Sequence, residues 1–435
     1  MRIAIAGAGL AGLSTAWLLD PLHHTVLFEP QERLGGHSHT VTAEVDGHET
    51  PIDLGAQHIS PTAFPALANL LDAVGLTQDL IPVPLSTTLQ VHDAATGRPE
   101  VLLAGPHTAD PGWPRTPVLG AAAGSLTALV TRAAEWETRD VSWERSLDEL
   151  IEPLEVPRDH KDRLLYPLLA SFVGCDIAEA REMSARAAMA FVLRVPPASP
   201  DTAPLWHNLK NGLGSLTTAL AADLHHGEIH PGRGVDHVRR GRDGLDIIDT
   251  RGHHHHVDRL VLAIPPGEAA RLLEPLAGTS AVCAALGTFD YVDVTVTAHT
   301  DPTYLPADRR HWSTNTITVH NGWSETTTWY GPINGAQAFK SWTTHRPQPP
   351  REPLADATFR QLRLTPAAIR ARDVVGQAQG DGGVHFAGHY LQDIDSQESA
   401  LLSAIATTQR IAPDSPRLTD MLTRAPHASD PPEKG

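Results

Sequence analysis

Cysteine is nearly absent: the 435-residue chain carries only Cys175 and Cys283. They lie far apart, with no CxxC and no Cys–His spacing, which argues against a disulfide framework and a structural zinc centre. Each reads as a buried hydrophobe. Lysine is scarce, four residues against thirty arginines, a compositional bias that says little about mechanism. Positive charge is short overall: 34 Lys and Arg face 51 Asp and Glu, for a formal net charge of −17. That balance argues against nucleic acid and against electrostatic docking on anionic membranes. No run of 18 apolar residues occurs, so no segment is expected to insert stably in a membrane, and the default location is the cytoplasm. The apolar N-terminus reads as a first strand rather than a signal peptide, since only Arg2 precedes it as a basic residue.

What is present suits a soluble enzyme of two domains, with 41% hydrophobic and 20% charged residues. Residues 2–6 form a short apolar run fit for a buried parallel strand. Gly7-Ala8-Gly9-Leu10-Ala11-Gly12 follows, a G-x-G-x-x-G that opens a helical pattern running through Leu13, Ala16, Trp17 and Leu19. A second strand at Thr25–Phe28 ends in Glu29, seventeen residues after Gly12. Gly7 permits the tight turn, Gly9 lets the backbone approach a pyrophosphate, and Gly12 allows close helix–strand packing, with Ala11 in the same first turn. The helix N-terminus offers free N–H groups and partial positive charge to phosphates. Glu29 is placed to accept hydrogen bonds from a ribose, and its charge disfavours a 2′-phosphate and hence NADP. Strand, glycines, helix, strand and acid in this order predict a dinucleotide site, with NAD and FAD both open.

Further landmarks decide between them by resemblance. Arg33-Leu34-Gly35-Gly36-His37 is similar to the R-x-G-G segment of the amine oxidase, phytoene desaturase and protoporphyrinogen oxidase superfamily. Asp53-Leu54-Gly55-Ala56-Gln57-His58 resembles its flavin-reaching D-x-G segment. Asn211–Leu216, Asp258–Pro266 and Val384–His389 resemble its later helix start, A-x-P strand and F-A-G-D strand. The run Arg33–Thr40, with His37 and His39, is similar to a bacterial branch known as NAD/FAD-binding proteins. The resemblance implies FAD, cofactor contacts from Arg33, Gly35, Gly36, His37, Gly55, Ala56, Gly388, His389 and Gln397, and a helix from about 396 to 410 aimed at the cofactor. It implies an α/β protein: a Rossmann-type FAD-binding domain, with a parallel sheet and a β-ribbon insert, plus a mixed α+β substrate domain. The expected division is 1–85, 205–290 and 370–412 for FAD, 86–204 and 291–369 for substrate, and 413–435 as a flexible tail.

Three departures from that family stand out. His389 occupies the place of an acid, Phe289–Val294 lacks the lysine many amine oxidases carry there, and no cysteine lies near the C-terminus to attach flavin, which implies non-covalent FAD. Asp293 is the candidate base in place of the lysine, against an ordinary surface carboxylate. His58 either faces the flavin or is structural. Trp329, Tyr330 and Trp342 either wall a substrate or fill a core, with Tyr330 the candidate for chemistry. Lys340 reads as a solvent-facing strand residue. His253–His256 reads as a turn entering a strand, so no metal site is expected. The expected function is an FAD-dependent oxidase or dehydrogenase taking hydride from a C–H bond of a small organic molecule, an amine or a secondary-metabolite intermediate, with O2 or another electron acceptor. The alternatives are a desaturase or isomerase of a lipid or polyene, and a non-redox dinucleotide-binding protein.

Overall fold

In the computed structural model, which describes residues 1–92, 99–105, 118–195 and 206–424, the strand Arg2–Ala6 lies at the centre of a five-stranded parallel sheet. Its neighbours are Arg259–Leu262 on one side and His24–Glu29 on the other, with Val384–Phe386 and Glu228–Pro231 at the edges. Ile3 to Ile5 and Val26 to Phe28 are fully buried, as continuous apolar runs in a sheet covered on both faces must be. The helix Leu10–Leu19 is buried along its whole length. It packs with the helix Gln397–Ile411 in one hydrophobic core. Val235–Arg240, Leu245–Asp249 and His254–Val257 form the antiparallel ribbon, one strand longer than a hairpin.

A second, seven-stranded sheet carries the other half. Its order is Pro353–Arg363, Asp290–His299, Phe339–Trp342, Trp323–Trp329, Asn315–His320, Thr87–His92 and Pro99–Ala104. The last two strands come from the 86–204 piece that the sequence assigns to the substrate domain. Thr87–His92 pairs in parallel with Asn315–His320, far away in sequence, so its strand character is fixed by a long-range partner. Helices Ala122–Thr138, Leu147–Ile151 and Tyr166–Ala170 cover one face of this sheet, burying Leu89, Ile317 and Val319 together with Cys175. Among the described residues no helix is long and apolar enough to cross a membrane.

The expected flexible tail is corrected over its first part. Pro416–Thr423 is a helix, capped by Ser415, that buries Leu418 and Met421. Arg417 donates to the Trp17 carbonyl at 2.8 Å and to the Asp223 carboxylate at 2.8 Å, and lies 4.6 Å over the Trp17 ring. Proline and polar residues dominate the composition of this stretch, but proline sits at the first helical turn, where it is tolerated, and the two apolar residues share one face. Residues 425–435 of that expectation lie outside the described residues. Arg417→Ala should cost about 1–3 kcal/mol in urea unfolding, because it leaves part-buried acceptors unpaired; a change within error would mean the helix is not docked.

Candidate active site

The N-terminal turn is built around two glycines with no room to spare and one with ample room. Gly7 has φ +96° and its N–H donates to Phe28 O at 2.8 Å; a Cβ there would run into Ala263 O. A Cβ on Gly12 would run into Gly7 O. Gly9 is the N-cap of the first helix, with φ −72° and no side-chain cap, and a Cβ on it would meet nothing within 4 Å. Uncapped helical N–H groups facing open space are what a pyrophosphate needs. Glu29 accepts from Ala8 N at 2.9 Å and Gln31 N at 3.0 Å, which locks the end of its strand onto the turn. Ala11 is buried in the first helical turn.

The next segments converge on the same end of the sheet. Arg33 folds back onto the carbonyls of Leu34 and Gly36, both at 2.9 Å, while Gly35 and Gly36 take positive φ and Gly35 N donates to Ala8 O at 2.8 Å. The Ala56 N–H donates to His37 O at 2.9 Å, which ties the D-x-G segment to the Arg-Gly-Gly segment. The His37 and His389 rings lie near parallel, 6.1 Å apart. Burial pushes His37 down to about 4, helped by His389 and Arg33 and opposed by Asp395, so the ring is neutral. His389 has Asp395 3.8 Å away, so a carboxylate does stand close to the place where the family's acid is missing. Gly388 N donates to Ser403 Oγ on the helix Gln397–Ile411. Gln397 reaches only to His58 O, at 3.5 Å. Beside it, Glu398 accepts from Ala66 N and Leu67 N at 2.9 and 2.7 Å, and burial pushes its carboxyl up to about 7.

Where the second sheet meets Gly55–His58, a cavity of about 210 Å3 opens. Its floor is two rows of side chains that run across the strands. Thr87, Asn315, Thr328 and Lys340 are cross-strand partners and form the polar row. Ile317, Thr326 and Trp342, two residues along each strand, form the second row, with Leu168, Ser171 and Phe172 opposite. Gln57 closes the inner end. Tyr330, fully buried, accepts from Asp53 N at 2.9 Å and donates to Gln57 Oε1 at 3.1 Å. Burial, reinforced by Asp53, holds its phenol well above the ordinary range, so it acts as a fixed hydrogen-bonding group.

Lys340 is the main correction. It is not solvent-facing: it is buried, and Nζ donates to Gly55 O, in the D-x-G segment. Burial lowers its pKa to about 8, opposed by Asp53, whose own carboxyl burial pushes up to about 6. Asp293 is not brought to this cavity. Ala298 pairs with Lys340, so the even-numbered residues of Asp290–His299 share the Lys340 face and Asp293 lies on the other. Its carboxylate is 75% exposed, 4.0 Å from Arg360. The lysine missing from that strand thus stands on the neighbouring one. His58 is half-buried beside Gln57, at 3.0 Å, and Asn208, at 2.8 Å, and desolvation pushes it down to about 4. Trp329 belongs to a separate core on the far face, against Phe339 and Trp312. His253 and His255 are held by Asp249, and His256 by Asp246. No group of three potential ligands is placed to hold a metal among the described residues.

Residues 10–327 match the family described as flavin containing amine oxidoreductase, well over half of the chain. The chain belongs to this family. As a member of it the protein is an FAD-dependent oxidoreductase, and the resemblance in its motifs is thereby sustained. Cyclohexylamine oxidase from Brevibacterium oxydans IH-35A shares the fold, with a TM-score of 0.66 and 16% identity over 94% of this chain and 99% of that one. The fatty acid isomerase of P. acnes that produces CLA does so with a TM-score of 0.69 and 14% identity, over 94% and 98%. Zeta-carotene desaturase of Synechocystis sp. (strain ATCC 27184 / PCC 6803 / Kazusa) is 41% identical over 81 residues, 18% of this chain and only 16% of the desaturase.

Sequence reasoning did not place Lys340, Asn315 or Thr328 in this cavity. The scarcity of lysine was the one available signal; facing on a strand needs the register of its partners. For this flavoprotein, Gly9→Asp should fold, since its Cβ has space and φ is ordinary, but set a carboxylate where a pyrophosphate would meet the helix N-terminus. The expected result is purified protein stripped of flavin absorbance, with a circular dichroism spectrum unlike that of an unfolded chain; retention of full flavin would remove the turn from the cofactor site.

Proposed function

We propose that the protein oxidises a small organic molecule by hydride removal from a C–H bond, in the cavity between the Gly55–His58 segment and the seven-stranded sheet. The observation that carries this reading is Lys340, buried in the cavity wall and tied to the Gly55 carbonyl. FAD would be held without a covalent bond by the Gly7–Gly12 turn, Glu29, the Arg33–His37 segment, Gly55, Ala56, Gly388 and His389. The open space at Gly9 and the uncapped helix behind it fit that assignment. When bound, FAD supplies the hydride acceptor. The chain's residues do the rest. The cavity floor orients the substrate, the helices over the sheet limit water, and Lys340 Nζ, neutral above about pH 8, accepts the proton that leaves with the hydride. The acid–base role expected of Asp293 passes to Lys340. Tyr330 acts through Gln57, as a positioning residue. Electrons then leave to O2 or another acceptor.

A cavity of about 210 Å3 suits a small molecule better than a long polyene, so the lipid or polyene alternative has less support. Because the folded pKa of Lys340 is depressed from 10.5 to about 8, the proton-accepting form grows as pH rises, is half present near pH 8 and is complete only well above it. Anaerobic flavin reduction by a substrate found in a screen of amines and carbonyl metabolites should therefore accelerate with pH, with the midpoint of the rise near pH 8 and a plateau well above it. Lys340→Met should slow it on the order of 100-fold and erase that limb, whereas Asp293→Asn should leave it unchanged. A Lys340→Met enzyme that kept the limb would remove Lys340 from the chemistry.

A further inference from the structure

The direction of every hydrogen bond leading into the cavity is fixed from one end. The Asp53 backbone N–H can only donate, and it donates to the Tyr330 hydroxyl oxygen at 2.9 Å. The Tyr330 hydrogen then goes to Gln57 Oε1 at 3.1 Å. That sets the Gln57 amide, whose Nε2 donates to Thr328 Oγ1 at 3.1 Å. Thr328, already accepting, gives its own hydrogen to Asn315 Oδ1 at 2.8 Å. Asn315 is left with its carbonyl engaged and its NH2 group making no side-chain hydrogen bond among the described residues, in the cavity wall.

The chain therefore delivers hydrogen-bond donors to the cavity. Lys340, two strands away in the same row, adds an ammonium that already spends one hydrogen on Gly55 O. Strand spacing puts the two backbones about 10 Å apart along the row, so one small molecule can meet both. The rest of the lining is apolar or weakly polar: Ile317 and Trp342 on the floor, Leu168 and Phe172 opposite. Phe172 is 38% exposed and packs on Phe191, with ring centroids 6.1 Å apart, at the solvent side.

We infer that Asn315 is a substrate-binding residue whose NH2 group receives a carbonyl or carboxylate oxygen, and that the substrate's apolar body lies along Ile317, Trp342, Leu168 and Phe172. This rests on the proposal that the cavity is the substrate site. An ammonium group, which only donates, would face donors at both Asn315 and Lys340, and a buried donor left without an acceptor is costly. The substrate is thus an acceptor-bearing molecule rather than one recognised by its ammonium.

Titration calorimetry of the FAD-loaded protein at pH 7 with benzoate, benzamide and benzylamine tests this without turnover. Benzoate and benzamide should bind, with benzylamine at least tenfold weaker. The order of the first two tells an anionic carboxylate from a neutral carbonyl as the preferred group. Asn315→Leu should weaken both acceptors at least tenfold. Asn315→Asp, which replaces the donors by an anion, should shift preference toward benzylamine. Thr328→Val, which frees the Asn315 amide to turn, should weaken the acceptors less than Asn315→Leu does. Tighter binding of benzylamine than of either acceptor to the native protein overturns the inference, as does failure of all three to bind. So does Asn315→Leu with native affinity for benzamide. Flavin absorbance of the same samples keeps the two readings apart: no flavin sinks the proposed function, while full flavin with the wrong preference sinks only this inference.

Discussion

The Lys340 ammonium donating to the Gly55 carbonyl is the contact on which the arrangement of the site depends. It joins the segment that carries the D-x-G motif to the sheet that floors the cavity. Burying a lysine is unfavourable unless its hydrogens find acceptors and a counter-charge stands near. Both conditions are met, by Gly55 O and by Asp53, and each is met only when the two halves are docked. Asp53 is anchored in turn by Thr40 at 2.5 Å and Leu213 N at 2.9 Å. The buried charges thus specify how the halves register, while the surrounding apolar cores supply the bulk of the stability.

Around that contact the polar side chains form one connected network rather than scattered pairs. Tyr330, Gln57, Thr328 and Asn315 pass hydrogen-bond direction from a backbone amide of the first half to a side chain of the second. Each member has one orientation that satisfies its neighbours, so the cavity is preorganised before any ligand arrives. The opposite face of the same sheet is also polar, with Glu325 between His320 at 3.0 Å and Arg346 at 3.3 Å. The two faces share strands but not side chains, which is why Asp293 cannot serve the cavity although it is only five residues from Ala298, the cross-strand partner of Lys340.

Much of the cofactor half was legible in the chain. Gly7 takes a positive φ and Gly12 packs against Gly7 O, local reasons for glycine that are visible in sequence. The parallel strands announce themselves as short apolar runs, since both faces are covered. The half that carries the cavity was far less legible. Asp293 and Lys340 sit in strands of similar alternation, and which parity faces the cavity depends on the partner strand and the covering helices. The tail helix was hidden for a related reason: a composition rich in proline and polar residues carries no trace of Trp17 and Asp223, which hold Arg417 in place.

The sequence by itself determined the dinucleotide turn, the acid that ends the second strand, the flavin landmarks and the poverty of cysteine that argues for a non-covalent cofactor. All of these rest on backbone conformation or residue chemistry within a few positions. Tertiary structure alone decided that Lys340 is buried, that Asp293 is exposed and that the Asn315 amide keeps its donors unengaged among the described residues. Those properties belong to side chains whose environment is made by other strands and segments distant in sequence, so no local pattern can encode them.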